Sequence, residues 1–321
     1  MCIVLRVDIT GLKSRVRAKM FGRSLTVCAF IAAAMAAPTA MLEKRAVTPL
    51  SSGDLAGLTP FTQFARAAYC SDGLKNWSCG PACDALPGFQ PTLVGGDGNA
   101  VQIFFVGYWP DQNTVVVAHE GTDPTQLVSV LTDANILKDA LDTSLFPGVS
   151  SDVQVHDGFR NEHALTAPQI LTEVKNLMAA HNTKSVTCIG HSLGGALAEL
   201  DAVFFALNLP SSTNIRAFTY GTPRVGNPAW AQLVDAKVPN FKRINNEKDI
   251  VPIVPGRFLG FGHPAGEIHI ISPGNAVSCP GDDDATDNQC IIKTVPNIFE
   301  GNILNHLGPY EGVSIGTIFC S

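Results

Sequence analysis

The chain has 321 residues, a length that α/β architectures routinely build around one core. Hydrophobic residues make up 45% and charged residues 16%, which excludes a disordered chain and argues against a nucleic-acid partner. The formal net charge is −6 at pH 7, and it is unevenly distributed.

Residues 1–45 read as targeting and processing sequence. A basic stretch (Arg6, Lys13, Arg15, Arg17, Lys19, Arg23) precedes an apolar run from Leu25 to Ala37, which is too short to cross a bilayer and suits a signal peptide. Ala34-Met35-Ala36 offers the small residues a signal peptidase needs, and Met20 is an alternative start. Lys44-Arg45 resembles a dibasic processing site, so the mature chain is expected to begin at Ala46 and to form a single catalytic domain, 46–321. Processing removes eight of the 22 basic and two of the 28 acidic residues, leaving 14 against 26. An extracellular, soluble monomer without stable membrane insertion is expected, and any action on lipid must rest on apolar contact.

Seven cysteines follow the processing site: Cys70, Cys79, Cys83, Cys188, Cys279, Cys290 and Cys320. An odd count in a secreted chain predicts disulfides plus one free thiol. Cys188 lies in the apolar run 185–190 and reads as a buried strand thiol, while the other six allow about 15 connectivities. No CxxC pair suggests a metal, and none is expected. Asn76-Trp77-Ser78 is a glycosylation sequon in a turn-rich segment.

From about Thr114 short β-branched runs alternate with amphipathic stretches, the pattern of a sheet covered by helices. Val115–Ala118 reads as a buried strand, and residues 161–181 as a helix with Ile170, Val174, Leu177 and Met178 on one face. A strand is expected at Lys184–Gly190 and a helix at Leu193–Leu207, burying Leu197, Leu200, Val203, Phe204 and Leu207. Further strands are expected at Ile215–Tyr220, Phe241–Asn245 and Glu267–Ser272. These elements predict an α/β fold, a mostly parallel sheet with helices on both faces, which the motif between two of them narrows to the α/β-hydrolase fold.

Between that strand and helix, Gly190-His191-Ser192-Leu193-Gly194 fits the G-x-S-x-G nucleophile elbow. The helix start favours negative charge beside Ser192, where an oxyanion would form. A serine hydroxyl needs a base, itself oriented by a carboxylate, and in this fold class the order is serine, acid, histidine. His306, in a late loop, is the candidate base, whereas His263 and His269 read as surface residues. Asp249 follows a strand directly and is the candidate acid, whereas Asp235 reads as part of a solvated helix face.

Gly190-His-Ser-Leu-Gly-Gly-Ala-Leu-Ala198, Tyr220-Gly-Thr-Pro-Arg-Val-Gly-Asn227, Asp249-Ile-Val-Pro-Ile-Val-Pro255 and His306-Leu-Gly-Pro-Tyr310 together resemble the fungal class 3, Rhizomucor-type, lipases. Relatives of that family include feruloyl esterases. The resemblance runs from about Cys70 to Cys320, and His156-Asp-Gly-Phe159 matches a further motif. It implies that Ser192 is the nucleophile, Asp249 the acid and His306 the base, with the oxyanion held by Thr122 and Leu193 and no cofactor. The family often has Arg before the glycine that precedes the first donor; here that residue is Glu120. The resemblance also implies the bridges Cys70 with Cys320, Cys79 with Cys83, and Cys279 with Cys290. Asp282, Asp283, Asp284 and Asp287, between the last pair, read as a solvated acidic loop rather than a calcium site.

The family carries its lid between Thr122 and His156. Here Asp123 and Pro124 signal a helix start, and Leu127, Val130, Leu131, Ala134, Leu137 and Leu141 recur at helical spacing. Such a stripe can cover an acyl slot in water or be a permanently docked surface helix. The expected substrate is an acylglycerol, with a feruloyl or short-chain carboxylesterase, or a secreted lipid-binding protein without turnover, as alternatives.

Overall fold

The computed structural model describes residues 46–133, 136–283 and 286–320. Residues 1–45, expected from the sequence to be a leader with its processing site, lie outside them. The chain opens with β1 (Thr48–Pro49), α1 (Ser52–Ala67) and α2 (Pro81–Asp84), followed by the strands β2 (Gln90–Gly95), β3 (Phe104–Trp109) and β4 (Thr114–His119). After α3 (Pro124–Leu131) come β5 (Lys138–Ala140), β6 (Gln154–His156), α4 (Asp157–Ala180), β7 (Ser185–His191) and α5 (Leu193–Asn208). The remainder is β8 (Asn214–Tyr220), α6 (Pro228–Lys237), β9 (Asn240–Asn246), β10 (Glu267–Ser272), β11 (Asn275–Ser278) and α7 (Ile291–Thr294).

Nine strands form one sheet in the order β1-β11-β10-β9-β8-β7-β4-β3-β2. The run β4-β7-β8-β9-β10 is parallel, and the strands outside it pair antiparallel. Parallel strands must be covered on both faces, so their side chains are apolar in both directions. On β4, Val115 and Val117 join the apolar layer of α4, α5 and α6, while Val116 and Ala118 join that of α1. This is an α/β-hydrolase fold, and the carboxyl ends of its parallel strands converge on one edge of the sheet.

Each helix has an identifiable local cause. At α1 the Ser51 side chain accepts from the Asp54 amide while the Asp54 carboxylate accepts from the Ser51 amide, a reciprocal capping box. α4 begins four residues before the expected 161, because His156 Nδ1 accepts from the Phe159 amide and caps it. Ile170, Val174 and Leu177 are buried on its inner face, as the spacing implies. α5 is enclosed on nearly all sides; Leu197, Leu200, Val203 and Phe204 are buried, and Leu207 at its end is half-buried.

Two carboxyls are buried within α5. Asp201 lies between His119 Nε2 at 2.7 Å and His163 Nε2 at 3.0 Å, so one group ties β4, α4 and α5 together. Burial pushes the Asp201 pKa up, but the two imidazoles outweigh it and hold it at about 2. Glu199 Oε1 accepts from Trp230 Nε1 at 2.6 Å, and its Oε2 has no partner among the described residues. Burial raises Glu199 to about 8 from an ordinary 4.5. An acid raised in the fold contributes its full stability below its unfolded pKa and loses it as pH climbs to the folded one. Glu199→Gln is therefore expected to gain about 3 kcal/mol over wild type between about pH 5 and about pH 8, read by denaturant unfolding. Parallel stability curves for the two proteins would rule this out.

Among the described residues three disulfides close the fold, Cys70–Cys320, Cys79–Cys83 and Cys279–Cys290, and Cys188 is a buried free thiol on β7. Asn76 is exposed on a short turn. Several expectations are corrected. The helix after Asp123 ends at Leu131; Leu137 is exposed and Leu141 follows β5, which pairs with β6, while Ala134 lies outside the described residues. His263 and His269 are buried, not at the surface: His263 Nε2 lies against the Pro252 carbonyl, while the ring nitrogens of His269 lie against the carbonyls of Glu247 and Gln289. Asp235 is half-buried and accepts from the Ala265 amide at 2.9 Å. Asp283 is not solvated either, since it pairs with the buried Arg224; Asp284 lies outside the described residues.

Candidate active site

Ser192 stands between β7 and α5 with φ 61° and ψ −130°, a conformation that side chains rarely adopt. The two glycines of the elbow make this turn possible. A Cβ on Gly190 would meet the Gly194 carbonyl oxygen at 2.0 Å, and one on Gly194 would meet that of His119 at 2.3 Å. The Ser192 amide donates to the Tyr220 carbonyl at 2.9 Å, which fastens the elbow to the end of β8.

Asp249 lies just beyond β9, where its Oδ1 accepts from the Val251 amide at 2.9 Å. Its Oδ2 is 2.8 Å from His306 Nδ1, on the 3-10 turn Ile303–Leu307. That contact makes Nδ1 the donor and leaves Nε2 as the basic nitrogen. Gly221, at φ 51°, lies beneath the pair: a Cβ there would come within 2.7 Å of Asp249 Oδ2 and of His306 Nδ1. Ser192, Asp249 and His306 are each fully buried. Among the described residues, Ser192 Oγ and His306 Nε2 both lack a hydrogen-bond partner. Bonds of this kind often form only once substrate is bound.

Gly121 packs directly against the elbow, since a Cβ on it would meet Ser192 Cβ at 2.7 Å. Thr122, half-buried, follows it, and Leu193 opens α5, whose first N–H groups have no acceptor within the helix. Both candidate oxyanion donors therefore lie on segments that flank Ser192. Glu120, in place of the family's arginine, is half-buried with Oε2 accepting from the Ile103 amide at 3.2 Å. Glu267, Cys279 and Cys290 gather closely, but both sulfurs are spent in a disulfide and cannot ligate a metal.

Sequence reasoning missed a network behind the histidine. His191 Nε2 lies 2.8 Å from the His306 carbonyl oxygen, and its Nδ1 lies 2.7 Å from the Tyr69 hydroxyl. A carbonyl only accepts, so Nε2 carries the proton and Nδ1 accepts from Tyr69. Burial, reinforced by the neighbouring His306 ring, drives the His191 pKa well below its usual value and keeps the ring neutral. Tyr310 donates to the same His306 carbonyl at 3.0 Å. The elbow motif marks position 191, but nothing in the sequence links it to Tyr69. Tyr69→Phe is expected to lower kcat about tenfold with KM nearly unchanged, because it strands a buried imidazole nitrogen behind the base. An unchanged kcat would show that the network does not hold the base.

A nucleophile elbow at the carboxyl edge of this sheet, whose His191 ring lies 4.3 Å from that of the Asp249-bound His306, marks an α/β-hydrolase of the kind that cuts carboxylic esters. The class 3 lipase family matches residues 116–259. The secreted mono- and diacylglycerol lipase LIP1 of Malassezia globosa is 33% identical over 227 residues, covering 70% of this chain and 72% of that protein. A second from the same organism, MDL4, is 30% identical over 273 residues, covering 81% and 84%. Among solved structures, the Rhizomucor miehei triacylglyceride lipase superposes with a TM-score of 0.73 at 26% identity, covering 86% of this chain and 100% of its own. The chain belongs to the class 3 lipase family.

Proposed function

We propose that the protein is an extracellular acylglycerol lipase in which Ser192, Asp249 and His306 form the catalytic triad. Ser192 attacks the ester carbonyl, His306 takes its proton and passes it to the leaving alcohol, and Asp249 holds the imidazole. The amides of Thr122 and Leu193 receive the oxyanion, and water then cleaves the acyl-enzyme. The protein acts as a monomer after removal of residues 1–45, and no cofactor takes part.

The observation that carries the lipid reading is the sealed triad. α3 packs against the turn that bears His306, and its Leu127 and Leu131 are buried in the apolar cluster against which Leu193 and Ile303 also pack, so an apolar helix face lies beside the buried site. Beside that turn Phe299 and Leu304 are exposed, a surface suited to an oil phase. Among the described residues no helix is long and apolar enough to cross a membrane, so contact with lipid is by such patches. The test compares emulsified acylglycerols with methyl ferulate and a soluble short-chain ester. A rate that jumps once the acylglycerol exceeds its solubility is expected; faster turnover of methyl ferulate, with no such jump, would favour a feruloyl esterase.

A further inference from the structure

Glu120 follows β4 and directly precedes Gly121 and Thr122, where the family often has arginine. Its amide donates to the Ile103 carbonyl at 2.7 Å and its Oε2 accepts from the Ile103 amide at 3.2 Å, so the side chain is fixed beside β3 rather than free in solvent. It lines a cavity of about 440 Å³ together with Tyr69, Gly121 and Thr122.

Two contacts bring its charge near the nucleophile. Burial, and after it the charge of Glu120, pushes the Tyr69 phenol above its usual pKa, so the carboxyl is within electrostatic reach of that hydroxyl. The Tyr69 oxygen and Ser192 Cβ in turn both lie within 2.7 Å of the point a Cβ on Gly121 would occupy. The other ionisable groups around Glu120 are Asp123 at the start of α3, Glu162 on α4, which accepts from the Gln102 amide at 2.9 Å, and Asp97 in the turn before β3. Arg66 on α1 is engaged by the Phe319 carbonyl, and His191, beyond Tyr69, is neutral. Among the described residues no lysine, arginine or histidine lines the cavity, so no cation there offsets a negative charge on Glu120. Burial raises its carboxyl to about 7, which leaves it neutral in acid and ionised in base.

We propose that Glu120 governs the rate of ester hydrolysis through its charge: as a neutral acid it leaves the amides of Thr122 and Leu193 free to stabilise the oxyanion, and as a carboxylate it repels that oxyanion. The inference rests on the catalytic reading above. Thr122 lines the cavity and His306 does not, so the charge weighs on the oxyanion more than on the imidazolium. Glu120 is not a catalytic residue, since it acts only through the field at the oxyanion.

The test measures kcat/KM on a soluble short-chain ester across the pH range for the wild type and for Glu120→Gln, which keeps an acceptor for the Ile103 amide. The ratio of variant to wild type is expected to be near unity in acid and to climb about tenfold as pH rises through about 7. Glu120→Ala, which also removes the charge, is expected to show the same climb from a lower starting ratio. In carbon-13 spectra of glutamate-labelled protein, the carboxyl signal that Glu120→Gln lacks is expected to titrate at about 7. A ratio independent of pH in either variant, or a carboxyl that titrates at the ordinary 4.5, would overturn the proposal. A wild type that hydrolyses no ester would overturn the catalytic reading, and this one with it.

Discussion

Ser192→Ala is expected to reduce ester hydrolysis by at least about 10⁴-fold while the protein remains folded. The magnitude follows from the division of labour in the site. Without the hydroxyl there is no acyl-enzyme, and what survives is the help that the oxyanion donors and bound substrate give to attack by water. Folding should be spared because the Ser192 Oγ makes no hydrogen bond among the described residues and the strained turn is held by backbone contacts, chiefly the amide of Ser192 on the Tyr220 carbonyl. A fluorophosphonate probe should label the parent and not the variant. Residual activity within about tenfold of the parent would remove Ser192 from the role of nucleophile.

Replacing both Cys70 and Cys320 with serine is expected to cost about 5 kcal/mol of stability, the largest effect of any disulfide here. That bridge joins residues 250 apart, so its loss frees almost the whole chain in the unfolded state. The Cys79–Cys83 bridge closes a separation of four, for which loop-closure entropy gives about 2 kcal/mol. Chemical denaturation of the two double variants measures the difference, and equal losses would refute the loop-length argument. Activity should suffer as well, because the Ile315 amide donates to the Leu307 carbonyl at 2.9 Å and so braces the turn of His306 from the tethered tail.

From Thr114 onward the fold was legible because buried parallel strands need β-branched residues on both faces, and Val115, Val116 and Val117 say so directly. The segment before it was not. α1 mixes glycine, threonine and Pro60 into its pattern, and its clearest mark, the Ser51–Asp54 capping box, is visible only to a reader who already suspects a helix. The stripe after Asp123 misled for a related reason. Spacing cannot tell that the chain turns after Leu131 and that Lys138–Ala140 finds a strand partner in Gln154–His156. Ser192, Asp249 and His306 could be named from motif order, whereas Tyr69 and His191 meet only through tertiary packing. The burial of His263 and His269 was equally hidden, since a histidine packed against backbone carbonyls looks in sequence like any other.

The carboxylate of Asp201, gripped by His119 and His163, has a bearing on how the catalytic edge is kept in shape. His119 ends the strand that leads to Thr122, and Asp201 rides on the helix that Leu193 begins. Both amides assigned to the oxyanion thus hang from a common anchor. On that assignment their spacing is a property of the fold itself, and the cradle for the developing charge need not be built when substrate arrives.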